Sequence, residues 1–324
     1  MTMRELAQLA NVSVSTVSKA FRDAEDVSKE TKEHVFSIAR EHGCYGKFYK
    51  GKYSKKIIAI ICPELVSDYY IGYVERLQSI IEKNNGIALI STDHFDALKQ
   101  AELVEYYASF LQVDGIFIIG LNFPLKKGYE IPIVSLFPYT DSNVDSVRVD
   151  IYTPIVEALN KLKNSGHSKI AFLGERLTER KAKHFQDAVD SIGGIESKII
   201  VSELRFEKAG KDCINKLLET HKDYTAVVCA YDNIAIGAIK QLKKRGYSVP
   251  QDYSVIGIDN INISEYIETS LTTIDTVPDE ICMIAWDLLC KKLKNKFYKS
   301  YQRIVVTGRL IDRESVSKAR NVSK

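Results

Sequence analysis

The chain has 324 residues, 45% apolar and 27% charged, with a formal net charge of +3; it is long enough for two or three cores and too balanced for a disordered or fibrous chain. No apolar run approaches the ~20 residues that span a bilayer, and MTMRELAQLA sets Glu5 and Gln8 where a secretory signal needs an apolar centre. Six scattered cysteines form no CxxC pair or Cys/His cluster, so neither a zinc site nor a disulfide framework is expected, and a reducing cytoplasm is the predicted location.

The first element begins at Thr2. Thr2-Met3-Arg4-Glu5 fits a capping box, and Leu6, Leu9 and Ala10 follow at helical spacing. Asn11 suits the left-handed position that ends a helix. Ser13 is a good N-cap for a second helix with an apolar stripe of Val17, Ala20 and Phe21. A third helix starts at Ser28, runs through Val35, Phe36, Ile38 and Ala39, and stops near Gly43. Two short helices around a tight turn form either a helix-turn-helix or a plain structural hairpin. Charge favours the first. Residues 1–56 hold 11 Lys/Arg against 7 Asp/Glu, while the remainder of the chain is close to neutral.

In the helix-turn-helix reading the second helix enters the major groove. Val14 then meets a thymine methyl, Ser15 a base edge, and Lys19 the O6/N7 of guanine. Thr2, Ser13, Thr16, Ser28 and Thr31 anchor phosphates, while Ser18 and the charged arm of Arg22 lie beside them. Residues 43–56 carry five lysines and no acid.

Beyond this head, strand-length apolar runs alternate with amphipathic, helix-length stretches. The runs are KIIAIICP, GIALIST, GIFIIG, IPIVSL, KIAFLG, AVVCAY and YSVIGID. Such alternation predicts βαβ units and parallel sheets covered by helices. Ligands in open α/β sheets bind beyond the C-terminal ends of strands. That rule selects Tyr69 and Tyr70 after the first run, Asp150 before a helix, Tyr231 and Asp232 after AVVCA, and Asp259 and Asn260 after VIGI. No GxxxxGKS, GxSxG, HExxH or GxGxxG motif is present, so neither an enzyme nor a cofactor is expected, and the six histidines show no metal spacing.

The stretch MRELAQLANVSVSTVSKAFRDAEDVSKETKEHVFSIAREHG resembles the DNA-binding head of the lactose/galactose repressor (LacI/GalR) family. The resemblance continues in family order through VDGIFIIG, IPIVSL, GHSKIAFLG, TAVVCAYDNIAIGAIKQLKKRGYSVPQDYSVIGIDN, SLTTID and GRLIDRESV. It implies an α/β protein: a helix-turn-helix head and two doubly wound, Rossmann-like lobes of the periplasmic-binding-protein-like type I fold. The head is placed at 1–46, a hinge at 47–56 and the core at 57–324. The first lobe is set at about 57–163 and 276–302, the second at about 164–275 and 303–324, with crossovers near 163, 275 and 303.

The family pattern adds Lys181, where most members carry Arg, and Phe206, which stands where purine-responsive relatives pack a ligand ring. The effector set is then Tyr69, Tyr70, Asp150, Lys181, Phe206, Tyr231 and Asp259. Ile151 and Tyr231 replace polar residues common at their positions, which implies a more apolar and aromatic pocket. The family's minor-groove hinge helix has no obvious counterpart in CYGKFYKGKYSKK. Phe48, Tyr49 and Tyr53 are the candidate wedges there, and a flexible basic linker is the competing reading.

The resemblance implies a ligand-responsive, sequence-specific regulator, a repressor of a sugar-utilisation operon. Its partners are pseudo-palindromic double-stranded DNA, a sugar or sugar derivative, and a second copy of the chain docked through residues 70–84. No membrane partner is expected. The alternative is a solute-binding-protein-like sensor for a non-sugar molecule such as a nucleobase.

Overall fold

The computed structural model describes residues 1–49, 55–125, 129–138, 144–221, 223–295 and 300–320. The chain divides into two compact units, Met1–Lys56 and Ile57–Lys324.

The head contains α1 (Met3–Leu9), α2 (Val14–Phe21), α3 (Lys29–Glu41) and a single turn, α4 (Tyr45–Phe48). Thr2 closes α1 with a full capping box: its Oγ1 accepts from Glu5 N at 3.2 Å, and its own amide donates to Glu5 Oε2 at 2.7 Å. Ser13 and Ser28 cap α2 and α3 by accepting from Thr16 N (3.0 Å) and Thr31 N (3.1 Å). Each such cap is worth ~1 kcal/mol. Asn11 turns the chain between α1 and α2 at φ +49°. Leu6, Ala7, Ala10, Val17, Ala20, Phe21, Val35 and Ala39 make the core. Leu9, expected on the buried stripe, is half exposed, because Leu6, Ala7 and Ala10 already fill that face.

The proposed hinge begins later than its placement at 47. Phe48 is buried in the head core with its ring 5.8 Å from Phe21, so it is not a free wedge. Tyr49 stacks on Tyr45 at 5.1 Å. Tyr53 lies outside the described residues.

The second unit begins with β1 (Lys56–Cys62), α5 (Asp68–Lys83), β2 (Gly86–Thr92) and α6 (Ala97–Glu105), which runs into a π turn at Tyr106–Phe110. Then come β3 (Gly115–Ile119), β4 (Ile133–Leu136), β5 (Asp145–Asp150), α7 (Tyr152–Asn164), β6 (Lys169–Glu175) and a 3₁₀ turn at Arg176–Thr178. They are followed by α8 (Glu179–Ile192), β7 (Glu196–Ser202), α9 (Phe206–Thr220), β8 (Ala226–Cys229) and α10 (Asp232–Lys244). The last elements are β9 (Ser254–Asp259), α11 (Ile263–Tyr266), β10 (Thr272–Asp275), α12 (Pro278–Lys294), β11 (Arg303–Thr307) and β12 (Arg309–Ile311).

Two sheets result, in the orders β11-β5-β4-β3-β1-β2 and β12-β10-β9-β8-β6-β7. Pairs along both sheets run parallel, and β12 joins β10 antiparallel. Helices cover both faces, which lets the central strands be apolar throughout.

Two of the three crossovers differ from their expected places. The chain leaves the first sheet after Asp150, not near 163, because Ile155, Ala158, Leu159 and Leu162 of α7 pack into the core of the second. It returns after Asp275, where α12 buries Ile281, Cys282, Ala285 and Leu289 against the first sheet. The last crossing is at Gly308, not 303: β11 pairs with β5, and β12 with β10. Gly308 N donates to Asp150 O at 2.9 Å, and a Cβ on Gly308 would stand 2.8 Å from Asp275 O. The three crossings therefore pass through one point too narrow for a side chain.

Candidate functional site

Two places carry chemistry: the exposed face of α2 in the head, and a cleft between the two sheets of the body.

Val14 and Ser15 sit exposed in the first turn of α2. Thr16 shares a hydroxyl contact with Ser13 at 2.8 Å, and Thr31 one with Ser28 at 2.9 Å. The side chains of Thr2, Ser13 and Ser28 therefore serve first as caps. Lys19 is ion-paired to Asp26, which holds the Asp26 carboxyl below its usual range. Arg22 donates to Ser18 Oγ at 2.6 Å, and Lys32 pairs with Asp23 at 2.8 Å. The basic arms of the predicted reading helix are thus held by local partners.

In the body, a cavity of about 160 Å³ lies at the C-terminal ends of the strands. Six of the seven predicted effector residues line it: Tyr69, Tyr70, Lys181, Phe206, Tyr231 and Asp259. Lys181 Nζ donates to Asp259 Oδ1 at 2.9 Å and to Ala230 O at 2.8 Å, and lies 5.6 Å from the Tyr69 ring and 5.9 Å from that of Tyr231. Burial pushes the Asp259 carboxyl up, and Lys181 opposes that shift. Tyr231 OH donates to Glu175 Oε1 at 3.2 Å and accepts from Phe206 N at 3.1 Å, so its ring is fixed on the cavity wall.

Asp150 is the exception. It does not line the cavity; its carboxylate accepts from Tyr152 N (2.9 Å) and from Thr153 Oγ1 (2.6 Å) at the start of α7. Asp232, also selected by the strand-end rule, is fully buried beneath the site, where it bonds Thr273 Oγ1 and Ile261 N. Burial raises its carboxyl to about 7.

The sequence reading missed the groups that join the two walls. Arg205, just before α9, donates from both terminal nitrogens to Glu64, just after β1, at 2.8 Å on each prong. Its Nε lies 3.5 Å from Glu175, and its guanidinium stacks 4.6 Å from Phe206. Asn233 donates across the cleft to Asp68 at 3.1 Å and within its own wall to Glu207 at 2.9 Å. The strand-end rule covered these positions; their pairing was invisible because the partners are 141 and 165 residues apart. Arg148, Arg180 and His184 also line the cavity.

Residues 2–45 match the bacterial regulatory proteins of the lacI family, and residues 159–316 match the periplasmic binding protein-like domain. The chain belongs to the lacI family. Over 319 residues it is 26% identical to the HTH-type transcriptional repressor CytR of Escherichia coli K12, covering 94% of this chain and 93% of that one. It is likewise 26% identical over 330 residues to the ribose operon repressor of Haemophilus influenzae, covering 97% and 98%. A lacI-family regulator of Enterococcus faecium, solved with bound ribose, superposes with a TM-score of 0.71 at 22% identity, covering 82% of this chain and all of that one. The protein is a DNA-binding transcriptional regulator of this family, with a helix-turn-helix head and an effector-binding type of body. Among its described residues no helix is long and apolar enough to cross a membrane, and no cluster of His, Cys, Asp or Glu is arranged to hold a metal.

Proposed function

We propose that this lacI-family regulator represses a sugar-utilisation operon and that its effector binds in the cleft between the two sheets. The observation that carries this reading is the buried Asp259–Lys181 pair set among Tyr69, Phe206 and Tyr231. A carboxylate can hold a pair of hydroxyls, and aromatic faces pack on the apolar side of a sugar ring. The ribose operon repressor and the ribose-bound neighbour make a sugar the first class to test. The density of aromatic rings keeps a flat nucleobase as the second class: Tyr69, Tyr70 and Phe137 cluster on one wall, Phe206 and Tyr231 on the other.

In this reading α2 enters the major groove, with Val14, Ser15 and Lys19 reading bases. Thr2, Ser13, Thr16, Ser28 and Thr31 anchor phosphates, aided by helix N-termini. A homodimer presents two heads to a two-fold site. Exposed Ile90 on edge strand β2, beside α5, and Ile199 and Val201 on edge strand β7 of the other sheet are apolar surface suited to that contact. Effector binding changes the angle between lobes and so the placement of the heads, a coupling of ~1–3 kcal/mol in typical cases.

An electrophoretic mobility shift on DNA upstream of the chain's own gene, titrated with salt, tests the DNA part. A single preferred site, with affinity falling steeply with salt, is expected. Uniform weak binding to all DNA would refute sequence-specific regulation.

A further inference from the structure

We infer that the cleft takes an anionic effector, a hydroxylated ring carrying a phosphate or a carboxylate, and that Arg148 and Arg180 hold the oxyanion. This rests on the reading of the cleft as the effector site.

The argument is one of charge pairing. Arg148, Arg180, Lys181 and Arg205 line the cavity, against two carboxylates, Glu175 and Asp259. Lys181 is paired with Asp259. Arg205 is paired with Glu64 and lies beside Glu175. Of the other acids near the cleft, Asp68 and Glu207 hold Asn233, Asp150 accepts from Tyr152 N at the start of α7, and Asp187 acts on His184. Arg148 and Arg180 have no carboxylate partner among the described residues.

Arg148 is the more telling of the two. It stands in β5, between β4 and β11, where an apolar residue would be ordinary. Its Nε is buried and has no hydrogen-bond partner. Only this nitrogen is buried, the residue being partly exposed; a buried donor without a partner costs free energy, and an anion drawn to the guanidinium would offset part of that cost.

Arg180 lies in the first turn of α8, a 14-residue helix whose N-terminal amides add positive potential at the same wall. His184 stands one turn further along and also lines the cavity. Burial, and next the charge of Arg180, push its imidazole below its ordinary value. On the cavity lining, Arg148, Arg180, Lys181 and Arg205 thus outnumber Glu175 and Asp259. A guanidinium fork matches a phosphate or carboxylate with two parallel bonds, whereas a neutral sugar leaves that fork unmatched.

Isothermal titration of the full chain with matched pairs tests this: ribose and ribose 5-phosphate, glucose and glucose 6-phosphate, glucose and gluconate, and inorganic phosphate alone. In at least one pair the anionic member is expected to bind tenfold or more tightly than its neutral partner. Arg148→Gln should remove that preference, so that the two members of the pair bind alike. Arg180→Gln, at an exposed side chain that does not threaten folding, should reduce it several-fold. A preference for phosphate over carboxylate, or the reverse, identifies which oxyanion the site takes. Equal or tighter binding of the neutral members, or an anion preference untouched by both variants, would overturn the inference and leave the cleft reading standing. Failure of every sugar and every anion to bind would overturn both.

Discussion

Arg205 and Glu64 meet across the cleft in a two-pronged ion pair, each prong 2.8 Å, and join the end of β7's loop to the end of β1. Glu64 is nearly buried, and Arg205 is about one-third exposed. The pair therefore lies between a surface bridge of ~0–1 kcal/mol and a buried one whose disruption costs ~3–5 kcal/mol. Glu64→Gln keeps the shape and removes the charge. It is expected to lower stability by ~1–2 kcal/mol in urea unfolding and to speed effector dissociation several-fold in stopped flow, because one closure of the two walls is lost. An unchanged dissociation rate would show that this pair does not hold the cleft shut.

In the head, Lys19 is held by Asp26 rather than directed at a partner. Asp26→Asn releases it and removes one negative charge beside the helix proposed to read DNA. Operator affinity should rise several-fold, and the salt dependence should steepen by about one phosphate contact. Lys19→Ala should do the reverse and relax base preference at one position of each half-site. Both follow from mobility shifts at several salt concentrations.

Asp150 and Asp259 end strands in the two sheets, yet they differ in role. Asp150→Ala removes the carboxylate that accepts from Tyr152 N and Thr153 Oγ1 at the start of α7 and should cost ~1 kcal/mol of stability with little change in effector affinity. Asp259→Ala should abolish the effector response. It also leaves Lys181 without its carboxylate, so its stability must be measured alongside. Thermal melts with and without effector separate the two outcomes.

Asp232 makes a prediction about pH. Burial raises its carboxyl from an ordinary 3.8 to about 7 in the folded chain. The folded state therefore holds a proton that the unfolded state has released, and this contribution to stability is complete below about pH 4 and fades as pH rises through about 7. Asp232→Asn removes the titration. Relative to that variant, the wild type should lose stability between pH 4 and pH 7 in denaturant titrations. A difference that stays constant across that window would mean that Asp232 is ionised throughout.

The head was readable almost residue by residue, because its signals are local: Thr2, Ser13 and Ser28 cap their helices, and Asn11 takes the left-handed turn. Phe48 closes the core against Phe21, and nothing local in Tyr45-Gly46-Lys47-Phe48-Tyr49 distinguishes it from the aromatics on either side. In the body, apolar runs identified the central strands, but the amphipathic face of α7 does not say which sheet it will cover. Nor does RIVVTGRLI show that Gly308 divides it between two sheets. The cleft followed from strand ends for Tyr69, Tyr70, Tyr231 and Asp259, and from resemblance for Lys181 and Phe206. Arg148 had a signal that went unused: a charged residue inside a strand flanked on both sides. The Arg205–Glu64 pair had none, since it exists only after two distant loops meet.

The central claim is that a small molecule in the cleft governs DNA binding by the head. Its most direct test is operator affinity measured with and without a cleft-binding effector, in the wild type and in Asp259→Ala. The account predicts a shift of about five-fold or more in the wild type, and none in a folded Asp259→Ala variant. An equal shift in both proteins, or none in the wild type under saturating effector, would contradict it.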